Sequence, residues 1–330
     1  MLKRLPPEIW DIIVGFIDTQ EDCVALPSSH IVTEALLSCL TVCKTIGFSA
    51  QEKLYEKCLY IDSAWRLKDL LKSSVFRAIG SFDPPSTTWT GFSALYLAPF
   101  SGDTIDELEV IVDIQILFST LHKTLKRLVI NMPLRSVYPN DDAGPVVRPA
   151  LRQAFQHLIA IEEFVSVRDE LYLSTICPSD FIEEPNLWCQ WTNLRRLALY
   201  NVDIDGFFIT EIQRATKLEA LVLTRADGIY EGIEKLLRNA PQSAKVYLVN
   251  SKEEFLQTTP FDEAPTIYTD VLRAKLSGRG EKTAAGSASL KFLFAEDYQT
   301  EHEPNSPSPI DICQNWIEGK ALDGSLWRGQ

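Results

Sequence analysis

The sequence predicts an α/β chain in which a small helical unit leads into an irregular repeating solenoid. Three observations carry that expectation. The N-terminal stretch LPPEIWDIIVGFI, Leu5 to Ile17, has helical spacing with more apolar side chains than one packed face needs. The pattern L-x-x-L-x-L returns five times between Phe92 and Leu218, and segments of helical periodicity fill the intervals. The helical unit is assigned to residues 1–62, the solenoid to 63–276, and a linker with a capping segment to 277–330.

Pro6 and Pro7 suit a helix entry, where a missing N–H costs little, and Glu8 favours the positive end of the helix dipole. Ile9, Ile12, Ile13 and Phe16 follow the spacing of one buried stripe, and Trp10, Val14 and Ile17 form a second on the neighbouring flank. A further helical stretch, EALLSCLTVCKTIGFSAQEKLYEKC from Glu34, is apolar to the same excess: Leu36, Leu40 and Cys43 on one side, Leu37, Val42 and Ile46 around the others. Periodicity alone leaves two uses for the surplus, a cap on the protein's own core or a surface for a partner.

LPPEIWDIIVGFI, followed after a spacer by LLSCLTVCKTI and KLYEKCLYI, resembles the F-box motif, in particular that of F-box proteins of mushroom-forming fungi. Leu5, Pro6, Glu8 and Ile9 match the opening L-P-x-E-I, Ile13, Val14 and Ile17 the following apolar positions, and Val42, Cys43 and Lys44 the later V-C-K segment. Ile46 stands where that segment usually carries an aromatic, and the spacer Asp18–Thr33 is long. The resemblance implies that the unit docks into a Skp-type adaptor of a cullin ubiquitin ligase, through Leu5, Pro6, Ile9, Ile13, Val14, Ile17, Leu40, Cys43 and Lys44.

In the middle of the chain FSALYL, LKRLVI, IEEFVS, LRRLAL and LEALVL begin at Phe92, Leu125, Ile161, Leu194 and Leu218, so their starts lie 33, 36, 33 and 24 residues apart. Leucine-rich repeats place a short strand and a helix or turn in each unit, and the long intervals fit an irregular version. TIDELEVIVDIQILFSTLH opens with the capping-box spacing of Thr104 and Glu107, and VVRPALRQAFQHLIAI and YEGIEKLLRNAP carry helical periodicity. The region also resembles the divergent leucine-rich domains that follow F-box units in fungal proteins. With the leucines inward, the intervening residues Ala94, Tyr96, Arg127, Val129, Glu163, Val165, Arg196, Ala198 and Tyr200 are expected on a concave face. Tyr96, Arg127, Arg196 and Tyr200 are the candidate target-binding residues, suited to an acidic or aromatic-bearing segment.

Beyond Ser251, FDEAPTIYTDVLRAKL is read as a last helix, SGRGEKTAAGSAS as a linker, LKFLF from Leu290 as one more strand and HEPNSPSPID as a connection. The terminal ICQNWIEGKALDGSLW is expected to return Trp316 or Trp327 to the end of the solenoid.

A net charge of −13 repels polyanions, so no nucleic-acid partner is expected. No apolar run reaches the length of a membrane span, so no membrane is expected either. The seven cysteines are scattered and include no C-x-x-C pair, which argues against a disulfide framework or zinc knuckle and for a reducing compartment, cytoplasmic or nuclear. NVDIDG, Asn201 to Gly206, opens like a calcium loop but has Ile212 where a bidentate Glu is needed. Gly278 and Gly280 lack the ending of a phosphate loop, and His30, His122, His157 and His302 stand near no nucleophile motif. No catalytic residue, metal or cofactor is expected. The function expected is that of a substrate receptor in a Skp–cullin–F-box ubiquitin ligase, holding an unidentified protein target. Its alternative is a stand-alone leucine-rich interaction scaffold with a helical N-terminal cap.

Overall fold

In the computed structural model the described residues are 6–17, 25–57, 59–74, 76, 92–142, 146–176, 184–252, 288–295 and 307–328. Among the segments read from the sequence, Leu5, the helix from Phe261, the linker with Gly278 and Gly280, and His302 lie outside them.

Three helices come first: α1 (Pro7–Ile17), α2 (Ile31–Cys39) and α3 (Lys44–Lys57). They share a small apolar cluster of Val14, Leu26, Val32, Leu36, Ile46 and Ala50. The single stretch expected from Glu34 is therefore two helices, broken at Leu40–Cys43. Gly47 explains how close the break lies to α3, because a Cβ there would stand 3.0 Å from the Leu40 carbonyl oxygen.

Eight strands follow: β1 (Tyr60–Ile61), β2 (Ala94–Leu97), β3 (Arg127–Ile130), β4 (Glu163–Ser166), β5 (Arg196–Tyr200), β6 (Ala220–Thr224), β7 (Lys245–Asn250) and β8 (Ser289–Phe294). They form one sheet in chain order, and every neighbouring pair is parallel. Parallel neighbours need crossovers, and crossovers of one hand running one way along a sheet lay their helices on one face. That face carries α4 (Ala64–Lys72), α5 (Leu108–Leu121), α6 (Val147–Gln156), α7 (Gly206–Arg214) and α8 (Ile229–Asn239). Their apolar sides meet Leu95, Leu128, Phe164, Leu197, Leu221, Val246 and Phe292 of the strands in the main core.

The other face is covered as well. The last helix, α9 (Pro309–Leu322), starts at a capping box between Ser308 and Asp311. It sets Cys313, Trp316, Ile317 and Ala321 against Ala94, Tyr96, Val129, Val165, Ala198, Tyr200, Val222 and Tyr247.

These findings correct the expected fold class, a helical F-box unit followed by an irregular leucine-rich-repeat-like solenoid. Among the described residues the chain has an α/β fold built on a single eight-stranded all-parallel sheet and nine α-helices. The physical reason is visible in the strands. RLVI, RLALY and ALVLT are nearly continuous apolar runs, which is what a parallel strand buried on both faces requires. An open-faced solenoid would leave every second residue of those runs in solvent.

Two smaller corrections concern helix ends. Thr104 and Glu107 form no capping box: α5 begins at Leu108, Glu107 makes no side-chain cap, and the Thr104 hydroxyl instead accepts from the Asp106 amide at 3.2 Å. The C-terminal segment packs across the middle of the sheet, against β3 and β7, and not on its end.

The loops leaving β3 and β4 are tied together by one buried side chain. Arg148 of α6 is wholly buried and donates to the carbonyls of Ser174 (2.6 Å), Tyr172 (2.8 Å), Leu134 (3.1 Å) and Val137, with its guanidinium 4.6 Å over the Tyr172 ring. Asp142 closes the start of α6 by accepting the amides of Val146, Val147 and Arg148 at 2.9–3.1 Å.

Candidate partner-binding surface

Of the two apolar stripes of α1, that of Ile9, Ile12, Ile13 and Phe16 faces solvent, and the neighbouring stripe packs. Val14 is 1% exposed in the small cluster, with Trp10 and Ile17 half-buried beside it, whereas Ile9 is 39%, Ile13 42% and Phe16 75% exposed. Asp11 fixes the rotation of the helix by accepting a hydrogen bond from the Ser49 hydroxyl of α3.

The corner between α2 and α3 carries exposed apolar side chains of its own. Leu37, Leu40, Val42 and Phe48 are exposed, as are Cys43 and Lys44, because the helix break at Leu40 leaves this segment no core to enter. Of the residues expected to meet an adaptor, Pro6, Ile9, Ile13, Leu40, Cys43 and Lys44 are therefore accessible. Val14 is corrected to a core residue, and Ile17 is half-committed to that core. Ile12, Phe16 and Phe48 belong to the accessible surface although the motif does not single them out. The second apolar stripe in the sequence is the signal that could have found the first two.

The expected target-binding face is occupied. Tyr96 is 4% and Tyr200 3% exposed, both beneath or beside α9. The Tyr96 hydroxyl donates to the Glu318 carboxylate of α9, Asn131 Nδ2 donates to the same oxygen at 2.9 Å, and the Tyr60 ring stacks on Tyr96 at 4.4 Å. Burial and the Glu318 carboxylate both push the Tyr96 hydroxyl well above the ordinary phenol range, so it remains a donor. The Tyr200 hydroxyl accepts from Arg225 Nη1 at 2.6 Å. Arg127 and Arg196 lie half-buried at the start of β3 and β5, where they stand level with Glu163 in the sheet register, and Arg196 Nη1 donates to Glu163 at 2.7 Å. The two tyrosines are thus structural contacts of the α9 seam, and the arginines belong to a charge row along one edge of the face.

No protein-family model matches this chain, and a search of curated proteins finds no similar sequence.

The side chains that could suggest chemistry have structural places. His30 caps α2, its ring accepting from the Val32 amide at 3.2 Å, and His122 and His157 end α5 and α6. Asp205 of NVDIDG caps α7 by accepting from the Phe208 amide at 2.7 Å. The nearby Asp203 carboxyl is pushed up by burial and by Asp205, Asp227 and Glu231. Burial raises the Cys189 thiol, with Glu211 adding to the effect, which disfavours the reactive thiolate. Among the described residues there is no group of three His, Cys, Asp or Glu side chains that could hold a metal ion, and no helix is long and apolar enough to cross a membrane.

Proposed function

We propose that the chain is a substrate receptor of a Skp–cullin–F-box type ubiquitin ligase, with α1–α3 as the unit that docks the adaptor. One observation carries this reading: three helices with a small core of their own leave Ile9, Ile12, Ile13, Phe16, Leu37, Leu40, Val42 and Phe48 uncovered. A helical cap for the protein's own core would have turned the outer stripe of α1 inward. Burying one Ile or Phe contributes roughly 1.5–3 kcal/mol. Four such anchors can offset an association cost of about 4–15 kcal/mol over most of its range. The motif resemblance in Pro6, Glu8, Ile9 and Val42–Lys44 supplies the class of partner. A receptor of this kind contributes proximity, since it raises the effective concentration of target at the ligase.

The test is a pull-down of a purified Skp-type adaptor by the full chain and by a double variant, Ile9→Asp with Ile13→Asp. Both positions are exposed, so the variant is expected to keep the parent's circular dichroism spectrum and melting temperature while losing adaptor binding. Adaptor binding that survives in the folded variant sinks the proposal.

A further inference from the structure

With the sheet's second face filled by α9, the target needs another surface, and the helix layer provides one. Helix α5 buries Val110, Ile111, Ile114, Leu117 and Phe118 against the sheet, yet it also presents Leu108, Val112 and Ile116, four residues apart, on its outer side. Leu108 is 53% and Val112 51% exposed, and Trp65 of α4 stands 68% exposed across a groove of about 500 Å³ that both helices line. A surface helix of a protein that works alone would place polar side chains at such positions.

The groove's charge is one-sided. Among the described residues Asp106, Glu107, Glu109 and Asp113 line it against the single cation Lys68. Lys68 meets Glu109 at 3.3 Å with both side chains in solvent, an arrangement that leaves the local field largely acidic. That sign selects the occupant. A second copy of this chain, at net charge −13, would bring acidic surface to an acidic rim, and nucleic acids or anionic lipid surfaces would be repelled. A basic segment is attracted by the rim, can lay an arginine or lysine over the Trp65 indole, and can seat an apolar side chain between Trp65 and Leu108.

We propose that the α4–α5 groove binds a basic peptide segment carrying an apolar anchor, presented by the protein target. The groove and its chemistry stand on their own; only the identification of the occupant as the target rests on the receptor reading.

Fluorescence anisotropy of the full chain with three labelled synthetic peptides of equal length tests this. In the first, arginines flank a leucine–tryptophan pair; in the second glutamates replace the arginines; in the third alanines replace the apolar pair. The first peptide is expected to bind at least about tenfold more tightly than the other two, and to weaken as salt rises. Trp65→Ala, and separately Glu109→Lys with Asp113→Lys, should each weaken it by about tenfold; Trp65 and Glu109 are exposed and Asp113 half-buried, and an unchanged circular dichroism spectrum and melting temperature check that each variant is folded. Equal affinity for the three peptides, or unchanged affinity in both variants, overturns the proposal. So does competition by a purified Skp-type adaptor, which would make the groove part of the adaptor surface, or dimerisation of the free chain abolished by Trp65→Ala, which would make a second copy its occupant. The Ile9→Asp, Ile13→Asp variant should bind the first peptide as the parent does, so failure of the receptor reading and failure of the groove are read in separate measurements.

Discussion

Replacing Asp169 by Asn should make the protein more stable at neutral pH and have little effect in acid. Asp169 lies in the loop after β4 and is 1% exposed. Its Oδ1 accepts from the amides of Leu171 (2.7 Å) and Tyr172 (3.4 Å) and from the Ser166 hydroxyl (3.2 Å), and its buried Oδ2 has no hydrogen-bond partner among the described residues. Burial first, and the neighbouring Glu170 second, push the carboxyl up from 3.8 to about 7. A raised folded-state value means that the folded protein holds the proton more tightly than the unfolded chain does. The associated stability is therefore fully present below 3.8 and is lost as pH rises through about 7. Each tenfold difference in proton affinity between the two states is worth about 1.4 kcal/mol, so a difference of roughly a thousandfold amounts to about 4 kcal/mol. Asn keeps the Oδ1 acceptor and carries no charge, and every other titrating group is common to both proteins. Urea denaturation of parent and variant across about pH 4 to 8 should show their difference in unfolding free energy growing towards that value in favour of the variant, most of it before pH 7. A difference that stays flat over this range would mean that the carboxylate ionises without penalty, and would refute the argument from its isolation.

Two further tests concern packing. Gly232 of α8 sits against residue 204, where a Cβ would stand 2.2 Å from the Ile204 carbonyl oxygen, so Gly232→Ala should destabilise by about 2 kcal/mol despite alanine's better helix propensity. A melting temperature equal to or above the parent's contradicts that close approach. Ile317, fully buried between α9 and the sheet, should cost about 2–5 kcal/mol when cut to Ala, read as a lower urea midpoint, and a loss under about 1 kcal/mol would show α9 to be only loosely seated.

The strands are legible in the sequence because their pattern is local. All five L-x-x-L-x-L copies contain strands, as does LKFLF, and the apolar residues at their leucine positions do face the helix layer. YI of β1 and KVYLVN of β7 escape such a reading, the first because two residues carry no periodicity and the second because no leucine pair marks its start. What occupies the far face is not legible, since the answer lies in α9, more than a hundred residues from most of the strands it covers, and sequence spacing encodes no such partner. The alternation of Tyr96, Val129, Val165 and Ala198 is correct as geometry and mistaken as exposure. In α1 the reverse holds: two apolar stripes are visible, and nothing local says which one Ser49 and Ala50 of α3 draw inward.

The Glu318 seam also bears on how the fold is completed during synthesis. Each strand joins a neighbour made shortly before it, so the sheet and its helix layer can grow in the order of translation. The bond from Tyr96 to Glu318, by contrast, closes a span of 222 residues, and that from Asn131 a span of 187. Until α9 emerges, one whole side of a nearly complete sheet offers valines, alanines and tyrosines to its crowded surroundings, the condition in which nascent chains recruit chaperones or aggregate. Once seated, α9 ties strands from the middle and the late part of the sheet into one unit, and a ladder that could otherwise unzip from either edge gains a reason to open all at once.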